Sequence, residues 1–164
     1  MRIGIIGGTF DPVHEGHIRL AYEAIKEGNL DSVMFIPAAN PPHKDRRVTD
    51  FEIRYKMLQL ALDGHHDMGL SRLEDYEGYI YTIDTLNYLK KEYTDDQIVL
   101  VVGSDWDTIK SWKGYEEIVE NFEILTIDRP DTDISSTEIR HVVDNVNPEV
   151  LKYIMKRELY CGKA

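Results

Sequence analysis

The 164-residue chain holds one cysteine, Cys161, so it can form neither an internal disulfide nor a thiol-rich metal site. It also lacks any apolar run near the roughly 20 residues that a membrane-spanning helix needs. The stretch Ile3 to Phe10 is short, glycine-rich and without a signal-peptide cleavage pattern. These absences point to the reducing cytoplasm and to no membrane partner. Positive charge is scarce: 19 Lys plus Arg stand against 30 Asp plus Glu, a formal net charge of −11 that repels a nucleic-acid backbone. No nucleic acid is expected as a partner. A small anionic ligand stays open, because a few local cations and helix N-termini can make a positive pocket in an acidic protein. The chain is otherwise ordinary, 42% apolar and 30% charged, which excludes disordered and low-complexity classes. Its length fits one domain, 1–164, at about 150 residues per domain.

What the chain does have is alternation of strand-like and helical patterns. Arg2 to Ile6 reads as a buried strand; a glycine-rich segment follows, and then Ile18, Ala21, Tyr22 and Ile25 recur at helical spacing until Gly28. Ser32 to Ile36 is a second strand, ended by the proline-rich stretch 37–42. Phe51, Tyr55, Leu58 and Leu62 mark a helix face, and Met68 to Leu73 is a weaker strand. Thr82 reads as an N-cap ahead of Ile83, Leu86 and Leu89. Ile98 to Val102 is the clearest strand, Tyr115 to Glu120 a short helix and Phe122 to Ile127 a fifth strand. Ser135 with Glu138 forms a capping box before Ile139, Val142 and Val143, and Asn147-Pro148 opens a last helix through Val150, Tyr153 and Ile154. This order predicts an α/β fold: a Rossmann-like open parallel sheet with helices on both faces.

Chemistry concentrates at three places. The first strand runs into Gly7-Gly8-Thr9-Phe10-Asp11-Pro12-Val13-His14-Glu15-Gly16-His17, where glycines let backbone N–H groups approach a phosphate before a helix opens. Neither the Walker pattern nor GxGxxG is present. His14 and His17, three apart at the helix start, put two imidazoles on one face beside the positive helix end. A zinc site there would need two more ligands and has no HExxH frame, so the anion reading is preferred and no metal site is expected. The second place is Pro41-Pro42-His43-Lys44 with Arg46 and Arg47, a basic group where a strand's C-terminal edge would bind ligands. The third is Ile134-Ser135-Ser136-Thr137-Glu138-Ile139-Arg140, which serves equally as a helix cap or as a second set of phosphate donors. Asp105 can cap the segment that follows it, and Trp112 can be packing or a platform for a ligand ring. Asp11 and Glu15 would repel a phosphate and are placed outside the site.

Together these motifs resemble the nucleotidyltransferase superfamily, which carries an HxGH element after the first strand and an [ST]xxxR-like element near the C-terminus. Within it the chain is similar to the bacterial nicotinate mononucleotide adenylyltransferases. The glycine-rich segment to His17, Pro41-Pro42-His43-Lys44, Tyr81-Thr82-Ile83-Asp84-Thr85-Leu86, Gly103-Ser104-Asp105, Trp112 and the segment 134–140 occur in that family's order. The resemblance implies an enzyme of NAD biosynthesis that joins the adenylyl group of ATP to nicotinate mononucleotide and releases pyrophosphate. It assigns His14, His17, Lys44 and Arg140 to the phosphates as catalytic residues. It assigns Gly7, Gly8, Thr9, Phe10, Ser136 and Thr137 to the nucleotide cradle, Gly103 and Asp105 to the adenosine, and Thr82 and Trp112 to the nicotinate half. Mg²⁺ would arrive with ATP. The acceptor is itself a phosphate, so direct in-line attack needs no covalent enzyme intermediate. The segment Asp128-Arg129-Pro130-Asp131-Thr132-Asp133-Ile134 is shorter than the family's, which removes sheet edge and leaves a homo-oligomer open. Two other readings compete. A phosphopantetheine adenylyltransferase would have TxGH in place of His14-Glu15-Gly16-His17, and a non-catalytic nucleotide-binding module would bind ATP without consuming it.

Overall fold

The computed structural model describes residues 1–39, 41, 48–103, 106–128, 146–157 and 159–160. Among them are five strands, β1 (Arg2–Gly8), β2 (Ser32–Pro37), β3 (Met68–Leu70), β4 (Gln97–Val102) and β5 (Glu123–Thr126). They form one parallel sheet in the order β3-β2-β1-β4-β5. The central strand β1 pairs with β2 from Ile3 opposite Ser32 to Gly8 opposite Pro37, and with β4 through Ile3 opposite Ile98 and Ile5 opposite Leu100. The described helices are α1 (Glu15–Glu27), α2 (Phe51–Leu62), α3 (Leu73–Glu77), α4 (Thr82–Glu92), α5 (Tyr115–Asn121) and α6 (Pro148–Lys156), with a 3₁₀ turn at Trp106–Ser111.

Period-two alternation divides the strand side chains between two cores, one on each face of the sheet. Val33, Phe35, Val99 and Val101 pack with Leu20, Ala21 and Ala24 of α1, Met57, Leu58 and Ala61 of α2, and Val150 and Ile154 of α6. Ile3, Ile5, Ile98, Leu100 and Val102 turn the other way, onto Leu73 of α3, Ile83, Leu86 and Leu89 of α4, and Ile118 of α5. The doubly covered parallel sheet expected from the sequence is therefore the architecture.

Several local details differ from expectation. The buried face of α1 runs through Leu20, Ala21 and Ala24, while Tyr22 points outward. Helix α1 does stop at Gly28, but Gly28 keeps right-handed geometry and the left-handed residue is Asn29, at φ 51°. Strand β3 ends at Leu70, and Leu73 belongs to α3 instead. Thr82 is the first residue of α4 and Tyr81 the N-cap, with no side-chain cap bond. The start of α6 is as expected: Asn147 Oδ1 accepts from the Glu149 N–H at 2.8 Å and Pro148 follows the cap. The helix expected from Ser135 lies outside the described residues.

Gly4 sits where the first core is tightest. A Cβ there would lie 2.6 Å from Leu30 Cδ1 and 3.0 Å from Val101 Cγ2, both buried side chains. Gly4→Val should therefore cost about 1–3 kcal/mol through overpacking, enough to lower the melting temperature by several degrees. Thermal unfolding followed by circular dichroism checks this, and an unchanged midpoint would count against the packing argument.

Candidate functional site

In an open parallel sheet, ligands bind beyond the C-terminal strand ends at the point where strand order reverses, because neighbouring loops diverge there and leave a crevice. That point here lies between β1 and β4, since the chain proceeds outward from β1 through β2 to β3 and then returns to the other side of β1. Gly7 and Gly8 end β1 and lead into Thr9 and Phe10, while buried Gly103 follows the last residue of β4. The structure thus brings the residues of the first loop and Gly103 to the same edge of the sheet, at neighbouring strand ends.

His14 and His17 cap the helix that opens there. His14, extended at φ −144°, is the N-cap of α1; its Nδ1 accepts from the Gly16 N–H at 3.1 Å, while His17 Nδ1 accepts from the His14 N–H at 3.0 Å. The two rings stack with centroids 3.8 Å apart and planes 27° apart. With Nδ1 accepting in both, hydrogen bonding places the proton of each neutral ring on Nε2. Two like donors are then held side by side at the positive end of α1. Phe10 is buried and presents its ring to His17 edge-on, at 4.8 Å, and to Phe35 at 5.6 Å. Its side chain supports the His17 ring from the core and is not itself presented to solvent.

Two further side chains at this edge are absent from the sequence-based site. Asp11 is buried and accepts from the Thr49 N–H and from the Tyr160 hydroxyl. These partners tie its carboxylate to the start of α2 and to the C-terminal segment. Arg54 is 1% exposed and donates to the carbonyls of Thr9, Ala38 and Thr49. A signal for it exists in the sequence: it shares the 54, 57, 58, 61 face that α2 buries.

Thr82 begins α4 and Trp112 lies two residues before Gly114, which packs against Ile83 of the same helix. Gly114, at φ 76°, leaves no room for a side chain, since a Cβ would lie 2.9 Å from Ile83 Cγ2. The turn after half-buried Trp112 is thereby pressed onto the start of α4, beside Thr82. Lys113 Nζ lies 4.6 Å from the centroid of the Tyr81 ring, which adds a cation next to these residues. Beneath them, Glu74 of α3 is 7% exposed and accepts from the Thr85 hydroxyl at 2.9 Å. Burial pushes the Glu74 carboxyl up to about 7, against the smaller opposing effect of the Thr85 hydrogen bond. Lys44, Asp105, Ser136, Thr137 and Arg140 lie outside the described residues. Among the described residues no cluster of three His, Cys, Asp or Glu side chains is arranged around a metal position, and no helix is long and apolar enough to cross a membrane.

The model of the cytidylyltransferase-like family matches residues 5–142. The chain belongs to that family. Among curated relatives, a "Probable nicotinate-nucleotide adenylyltransferase" of Clostridium botulinum is 36% identical over 197 residues, covering 97% of this chain and 98% of the relative. A relative of the same name from Citrifermentans bemidjiense is 42% identical over 139 residues, 83% of this chain but only 64% of that protein's length. The family membership therefore extends to the nicotinate-nucleotide adenylyltransferase branch. Among solved structures, Plasmodium falciparum nicotinic acid mononucleotide adenylyltransferase complexed with NaAD has the same fold, with a TM-score of 0.79 at 21% identity over 98% of this chain and 97% of that one.

The raised Glu74 pKa makes a stability prediction. The folded carboxyl holds its proton to about pH 7 whereas the unfolded one releases it near 4.5, so its contribution is intact below 4.5 and is lost as pH rises through 7. Glu74→Gln removes that dependence. Its stability relative to the natural chain should improve by on the order of 3 kcal/mol between about pH 5 and about pH 8. Urea unfolding of both proteins at the two pH values measures the gap, and a gap independent of pH would contradict the assignment.

Proposed function

We propose that the protein transfers the adenylyl group of MgATP to nicotinate mononucleotide, producing nicotinate adenine dinucleotide and pyrophosphate. The observation that carries this reading is the pair of mutually capped imidazoles at the N-terminus of α1, in the loop that follows the C-terminal end of the central strand β1. The acceptor follows from the nicotinate-nucleotide adenylyltransferase relatives and from the likeness to a fold that holds NaAD in the Plasmodium protein.

The chemistry suits what the crevice offers. An oxygen of the acceptor's phosphate, already ionised near neutral pH, attacks the α-phosphorus; the bond from that phosphorus to the bridging oxygen breaks in line, and pyrophosphate leaves with the electron pair. No nucleophilic side chain or general base is required. The barrier is alignment and mutual repulsion of anions, so the chain contributes position and hydrogen-bond donors, together worth several kcal/mol. His14 and His17 would meet the phosphates through Nε2–H, with Lys44 and Arg140 supplying full positive charges. Gly7 to Phe10, Ser136 and Thr137 would receive the nucleotide, Gly103 and Asp105 its adenosine, and Thr82 and Trp112 the pyridine ring. Mg²⁺ belongs to the substrate. The donors described at this edge are N–H groups, and the Asp11 carboxylate is committed to Thr49 and Tyr160, which agrees with a metal that travels on ATP.

The deciding assay is pyrophosphate release from MgATP by purified protein offered nicotinate mononucleotide, nicotinamide mononucleotide or phosphopantetheine in turn. Release is expected with the first and preferred over the second. Release with phosphopantetheine alone would move the protein to the sister activity, and ATP binding without release from any acceptor would make it a binding module. Replacing His17 with Ala removes one member of the cap at a cost of about 1 kcal/mol in stability, whereas turnover should fall by at least about 100-fold. Parallel unfolding curves and steady-state rates test this split; activity lost only in step with folding would leave His17 a cap and nothing more.

A further inference from the structure

We infer that Arg54 is a positioning residue for the phosphate end of the site, clamping the loop after β1 and both ends of the basic segment 39–48 into one frame. The inference rests on the adenylyl-transfer reading and adds to it a residue that touches no substrate. Arg54 stands in the middle of α2, on the face the helix buries. Its Nε–H donates to Thr49 O at 2.7 Å, and Nη1 donates to Ala38 O at 2.7 Å and Thr9 O at 2.9 Å. Those three carbonyls belong to three segments: the loop leaving β1, the residue at which the chain leaves β2, and the residue at which it returns before α2.

The frame is closed from the other side. The Ala38 N–H donates to Gly8 O at 2.8 Å, and the Thr49 N–H donates to Asp11 Oδ2 at 3.1 Å. Thr49 is thus held through its N–H by the first loop and through its carbonyl by Arg54. Between Ala38 and Thr49 the sequence carries His43, Lys44, Arg46 and Arg47, the densest cationic run in an acidic chain. Wherever that run lies, its two ends are tied to the loop that leads to His14 and His17.

Burying a guanidinium is costly, and an apolar side chain of similar size would fill the same space in α2 without that cost. What an apolar side chain cannot supply is a rigid planar set of donors that meets carbonyls from several directions at once. The three carbonyls described lie in loops at the C-terminal edge of the sheet, which separates this arrangement from core packing. A lysine keeps the charge but has one donor centre, which cannot occupy both the Nε and Nη1 positions.

The test is Arg54→Lys in the full chain, read in two ways. Steady-state kinetics should show KM for MgATP raised about tenfold or more, with kcat lowered, and KM for nicotinate mononucleotide changed less than about twofold. Amide hydrogen exchange without substrate should speed up across 38–49 while β1 and β4 keep their protection. If Arg54→Lys does not fold, Asp11→Asn loosens the same Thr49 anchor at unchanged volume and should give the same split. A folded variant with unchanged KM for MgATP and unchanged exchange across 38–49 would overturn the inference. So would activity that falls only with the folded fraction. Failure of the natural protein to release pyrophosphate would sink the adenylyl-transfer reading instead, and the exchange measurement would still decide whether Arg54 holds the segment.

Discussion

A parallel strand paired on both edges and covered on both faces can offer polar groups to a ligand only at its ends. Strand β1 is in that position, between β2 and β4 and between two cores. Its N-terminal end is closed by chemistry of its own: Arg2 donates to Gly28 O at 3.0 and 3.2 Å and to Glu123, and the amino terminus pairs with Asp96 at 2.9 Å. The C-terminal end is where the glycine loop, the start of α1, Arg54 and Gly103 gather. The location of the site is thus a consequence of strand order before any side chain is considered.

An acidic protein that binds anions has to arrange its negative charge around that place. Glu15, in the first turn of α1, is exposed to solvent, and Asp11 is turned inward to Thr49 and Tyr160. The donors themselves are dipoles and neutral rings, which attract anions at short range without needing the net charge of the molecule to change sign. Among the described residues, a full cationic charge at this edge is that of Arg54, which is buried among loop carbonyls.

Much of the fold was legible because its signals are local. β1, β2 and β4 announce themselves by apolar runs, α6 by Asn147-Pro148, and the histidine pair by its spacing at a helix start. The misread details are places where tertiary contacts outrank local pattern. Phe51 and Tyr55 look like core residues of α2, but their rings lie 5.3 and 4.8 Å from the Arg72 guanidinium, which Tyr76, Glu52 and Asp75 also surround. Arg54 escaped notice because a charged residue on a helix reads as a solvent-facing one. Thr82 has the chemistry of an N-cap, yet the packing of Ile83, Thr85 and Leu86 starts the helix one residue earlier than such a cap would. Of the candidate site, the β1 loop, the two histidines, Gly103, Thr82 and Trp112 fall within the described residues. Lys44, Asp105, Ser136, Thr137 and Arg140, expected from motif alone, lie outside the described residues.

The reciprocal cap between His14 and His17 also ties the lone pairs of both rings to the start of α1. A transition metal binds imidazole through a lone pair, and the Nδ1 lone pairs of both rings are committed to the backbone of α1. Coordination through Nε2 would require each proton to migrate to Nδ1, where it would face the N–H it now accepts from. Loading such an ion would therefore unfasten the first turn of the helix, at about 1 kcal/mol for each cap lost. The spacing of the two histidines is thus used, in the described structure, to start a helix.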